Sequence, residues 1–135
     1  MTSDITALHR TRPQAARALD DAVEQSYLAC PDQLLDLCRA RVHMLLGGQV
    51  TADDPRLRAV ADYARSDLFS DTERLVLEFA EQYVLDVANM PDDLVAQLQQ
   101  RLGTQGAYAL AMALYAIDQA ERLALSAAVH PALTR

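Results

Sequence analysis

A chain of 135 residues, 51% of them hydrophobic, is long enough to bury one sizeable core and too apolar to stay disordered. Nineteen acidic residues stand against twelve basic ones, all arginine; the net charge of −7 excludes a nucleic-acid binder that works by neutralising phosphates. No apolar run reaches the ~20 residues of a membrane span. The first residues carry neither a positive leader nor a hydrophobic stretch, so a cytoplasmic protein is expected.

Residues 1–12 carry no strong pattern and are expected to be loosely docked. Pro13 suits the first turn of a helix running to about Leu28, with Ala16, Leu19, Val23 and Tyr27 on its inner face. Cys30-Pro31-Asp32 breaks it. A second helix, Pro31 to Leu46, ends at Gly47-Gly48, where glycine can take the left-handed cap conformation. Asp53-Asp54-Pro55 starts a third helix, expected to end near Ser66. Ser70 and Glu73 form a capping box ahead of a helix to about Ala88, amphipathic through Leu75, Val76, Phe79, Ala80, Tyr83, Val84 and Val87. A short helix from Asp92 to Leu102 follows, then Gly103-Thr104. The last helix spans Gln105 to Val129, and His130-Pro131 closes it. From Ala107 to Ile117 it is apolar on every side, which predicts a central post packed on several faces. No stretch alternates with period two, and no repeat is evident. The six segments predict an all-α, single-domain bundle.

Motifs for the commoner chemistries are missing. There is no Glu-x-x-His pair for a di-iron site, no HExxH for zinc, no phosphate loop and no GxSxG elbow. No metal or cofactor is expected. The second helix holds the polar residues of interest. Asp36, Arg39 and His43 share a face opposite Leu35, Cys38, Val42, Leu45 and Leu46. Asp36 and Arg39 are spaced to pair. His43 lies two turns from Asp36, ~10.5 Å of rise, too far for a direct bond. That face is either an acid and an imidazole lining one cleft, able to relay a proton through water or substrate, or a solvated surface with an ordinary ion pair. Cys38 falls on the apolar face, where a structural thiol is the default; Cys30, beside Pro31, is expected to be exposed. On the last helix, Asp118 precedes Arg122 by one turn, the favourable order for a pair. Arg39, Tyr115, Asp118, Glu121 and Arg122 are candidate ligand-binding residues, with an ion pair at the rim of the core as the plainer role for the charged ones. Tyr108 and Tyr115 share one side, a spacing that suits packing.

Three stretches resemble one family. PDQLLDLCRARVHMLLGG is similar to a helix that ends at redox-active cysteines, SDLFSDTERLVLEFAEQYVLDV to an adjoining acidic segment, and YALAMALYAIDQAERLALS to a closing helix with an arginine at Arg122. The family is the carboxymuconolactone decarboxylase and alkylhydroperoxidase D-like superfamily, all-helical and usually oligomeric. Its peroxidases use a Cys-x-x-Cys pair, a following histidine and an upstream glutamate. On that template Asp36 takes the glutamate position, while Gly48, Thr51 and Pro55 stand where the two cysteines and the histidine belong. The stretch from Gly48 to Phe69 is also shorter than the family's span. The resemblance therefore implies a bundle that has lost its redox helix and with it the thiol peroxidase cycle.

Two functions follow as expectations. The first is a small-molecule-binding or accessory subunit, taking a small apolar ligand, in a homo-oligomer or in a hetero-oligomer with an intact homologue; the surface bared by the lost helix would be buried between chains. The second is a non-redox decarboxylase, isomerase or cyclase, with Asp36 and His43 as acid and base on a small carbonyl substrate. A residual thiol peroxidase through Cys30 or Cys38 is the remaining alternative.

Overall fold

The computed structural model describes residues 9–51 and 53–129, and among them every regular element is helical. Residues 9–11 form a helical turn, and His9 reaches Asp20 at 2.8 Å; the rest of the segment expected to be loosely docked, residues 1–8, lies outside the described residues. Helix α1 spans Pro13–Ala29, with proline in its first turn; Cys30 then turns extended while its amide still bonds to the Ser26 carbonyl. Helix α2 is Asp32–Leu45. Its end is a Schellman motif: Gly47, at φ 92°, donates to the Met44 carbonyl, and Gly48 donates to that of His43.

Helix α3, Pro55–Ala59, is capped by the Asp54 side chain on the Arg56 amide. It stops well short of Ser66, passing into a 3₁₀ turn over Val60–Asp62. Tertiary demands override propensity here. Val60 and Phe69 must both reach Leu37 and Leu77 in a small second core, and Tyr63 must point its hydroxyl at Glu81. Helix α4, Asp71–Asp86, begins with the expected capping box, Ser70 accepting from the Glu73 amide and Glu73 from that of Ser70. Helix α5, Asp92–Val129, consists of two helical parts that meet at a kink, as expected, at Gly103, whose φ of 76° lies in the left-handed region. The closing His130-Pro131 lies outside the described residues.

The main core is shared by α2, α4 and α5. Leu35, Cys38 and Val42 meet Val76, Ala80, Leu98, Leu110, Leu114 and Ile117 there. Each large aliphatic side chain so placed contributes about 1.5–3 kcal/mol. Helix α1 lies over α5 and contributes no buried residue; Ala16, Leu19, Val23 and Tyr27 face inward as expected but are only half-buried. Helix α5 is the post of the bundle, yet it is not enclosed on every side. Tyr108 (70% exposed), Met112 and Tyr115 (58%) stand in solvent, with Leu123 further along, so the two tyrosines are not packing residues. No helix among the described residues is long and apolar enough to cross a membrane.

Candidate functional site

The polar face of α2 is solvated at Asp36 and closes over toward His43. His43 is buried, and its Nδ1 lies 2.9 Å from Oε2 of Glu121 on α5. Arg39, one turn earlier, donates from Nε to the other oxygen of the same carboxylate at 2.8 Å. Glu121 is itself only 6% exposed, so its charge is compensated within the protein, as a buried carboxylate requires. Burial works against the Arg39 cation, but the bond to Glu121 and its charge prevail and the pKa is raised. A carboxylate bonded to a guanidinium accepts, so Nδ1 of His43 is the donor in the bond to Glu121. The Nε2 of His43 is buried without a hydrogen-bond partner.

Gly48 accounts for the burial. The Schellman turn folds it back over the side chain of His43, the residue whose carbonyl it bonds. A Cβ on Gly48 would lie 2.2 Å from Nε2 and about as close to the neighbouring ring carbons. The ring therefore uses space that only glycine leaves open.

Asp36 stands apart from this cluster. It is exposed and accepts a 2.8 Å bond from the Tyr27 hydroxyl of α1. Burial first, then the bond to Asp36, pushes the Tyr27 phenol up to about 12. The spacing that suited an Asp36–Arg39 pair is not used: each residue turns to a different helix. Asp36 and His43 are likewise not brought together, and the partner of the imidazole is Glu121.

Asp118 and Arg122 pair as expected, Nε to Oδ1 at 2.9 Å. Asp118 is nevertheless buried, and only Arg122 reaches solvent. Both cysteines are buried, which corrects the expectation for Cys30. Burial raises the Cys30 thiol, and it pushes Cys38 up to about 12, with Cys30 adding to the effect. Neither has the exposure or the neighbouring cation that generates a thiolate.

Two apolar hollows flank the open face of α5. One, of about 540 Å³, lies between α1 and α5 and includes Tyr115, Gln119 and Leu123; the other, about 380 Å³, lies between α4 and α5 and includes Tyr83 and Tyr108. Neither includes Asp36 or His43. Among the described residues no three His, Cys, Asp or Glu side chains gather to hold a metal.

The role of Glu121 escaped sequence reasoning, although a signal was present. Leu114, Ile117, Glu121 and Ala124 recur at helical spacing and all are buried, so Glu121 sits on the deepest stripe of α5. A charge on such a stripe needs a partner, and on the polar face of α2 His43 was the residue left without one. A second cluster, Arg41 bonded to Glu81 with Tyr63 donating to the same carboxylate, gave no local signal at all. Comparison with known proteins assigns no relative: no family model matches the chain, and no curated protein or solved structure matches it significantly.

Proposed function

We propose that the chain is a cytoplasmic, small-molecule-binding or accessory subunit of an oligomer, built on a bundle of the alkylhydroperoxidase D type that no longer runs thiol chemistry. The carrying observation is the open face of α5. Tyr108, Met112, Tyr115 and Leu123 are exposed on the helix that is otherwise the centre of the core, with an apolar hollow on each side. A monomer rarely leaves such a run of large apolar groups in water, and a contact between chains removes it. The buried, protonated thiols fit the same reading, because a peroxide-reducing cycle needs an accessible thiolate. Size-exclusion chromatography with light scattering tests it. A dimer or larger species is expected at micromolar concentration, and a stable monomer would overturn the proposal.

A second reading, non-redox acid–base catalysis, has one observation in its favour. His43 is oriented at Nδ1 by a carboxylate and keeps Nε2 unpartnered, the arrangement of an imidazole ready to take a proton. In this reading Glu121, rather than Asp36, positions the base, and the Gly47–Gly48 turn must lift to admit a carbonyl substrate. Nitrogen-resolved NMR of His43 decides it. Its Nε2 signal must respond when small carbonyl acids are added, and a signal fixed across such a series ends this reading.

A further inference from the structure

We infer that the hollow between α1 and α5 is a binding site for an aliphatic carboxylate of medium chain length. The inference rests on the ligand-binding reading above and names its ligand class. The walls come first. Ala15, Ala18 and Ala22 of α1 face Ala120 and Leu123 of α5 across a space of about 540 Å³, within the range of pockets that hold small organic molecules. Alanines on both helices are too short to meet, so the trough follows from the sequence of the two facing stripes. The part of α1 that lines it, Arg12 to Ala22, covers about 15 Å at the helical rise, enough for an extended alkyl chain of medium length.

Its polar groups select the head group. Arg12, Asp20 and Gln119 are the polar residues on the lining. Asp20 is engaged by His9 at 2.8 Å. Arg12 donates to the Thr11 carbonyl at 2.8 Å, and no carboxylate lies within ion-pair distance of it among the described residues. An apolar trough whose arginine meets no carboxylate among the described residues complements an alkyl chain ending in an anion. The planar fork can hold a carboxylate through two bonds, which an alcohol or an amine of the same length cannot reproduce. Since α1 buries no side chain fully, it can shift to fit the chain without dismantling the core.

The test is isothermal titration calorimetry of the full chain with decanoate and with decan-1-ol. Decanoate should bind about tenfold tighter or more, the effect of a hydrogen-bonded charge. Arg12→Gln, an exposed change, should bring the two affinities together, and Ala120→Phe, which fills the trough, should abolish both. Equal affinities in the natural chain, a preference that survives Arg12→Gln, or no binding of either probe would overturn the inference. Light scattering on the same samples separates the two claims. An oligomer that ignores both probes overturns only this site, and a monomer that prefers decanoate overturns only the oligomer.

Discussion

Gly48 lies flat against the imidazole of His43, with room for a hydrogen on its Cα and for nothing larger. Gly48→Ala should therefore destabilise the protein by about 1–3 kcal/mol, the usual penalty for forcing an extra carbon into filled space. Urea unfolding measures it. Removing the ring makes room, so the double variant His43→Ala with Gly48→Ala should lose less than the sum of the two single changes. Strict additivity would show that the contact carries no weight.

Glu121 accepts from two residues of α2 at once, Arg39 and His43, from the deepest stripe of α5. Glu121→Ala should cost about 3–5 kcal/mol, because it strands buried donors without an acceptor. Glu121→Gln keeps the shape and one acceptor and should cost less. Equal stability of the alanine variant and the natural protein, read by denaturant midpoint, would remove this carboxylate from the account of the fold.

The thiols should be silent in the folded protein. With Cys38 raised to about 12 and Cys30 also raised by burial, both stay protonated at pH 8. An aromatic disulfide reagent should label them quickly in denaturant and only at the rate of unfolding in buffer. Fast native labelling of either one would reopen thiol chemistry.

Acid should loosen the joint between α2 and α4. Burial alone would raise Glu81, but bonds from Tyr63 and Arg41 outweigh it and hold the carboxyl below its ordinary value. A depressed carboxylate contributes its stability above the unfolded-state pKa of about 4.3 and loses it as pH falls through the lower folded value. Glu81→Gln should thus narrow the stability difference between pH 6 and pH 3, measured by thermal unfolding.

Local signals in the sequence were reliable wherever the cause was local. The capping box at Ser70, the glycine stop after Leu46, the break at Gly103 and the aspartate cap before Pro55 all stand where the residues placed them. Periodicity also assigned Leu35, Cys38 and Val42 to the inner face of α2. Long-range choices were not legible. Asp36 could pair along its own helix, but the Tyr27 hydroxyl from α1 competes better. The apolar run from Ala107 to Ile117 suggested burial all round, because hydrophobicity says which residues seek cover and not how many neighbours are available to provide it. The early end of α3 has the same origin, since Val60 and Tyr63 answer to partners distant in sequence.

Helix α1 makes its contacts through half-buried side chains, while α2, α4 and α5 interlock beneath it. None of its own side chains is fully buried, so its amides should exchange with deuterium before those of Leu35, Val76 or Leu114. The bundle thereby has a three-helix keel and an outer plank that can lift off while the hull stays closed.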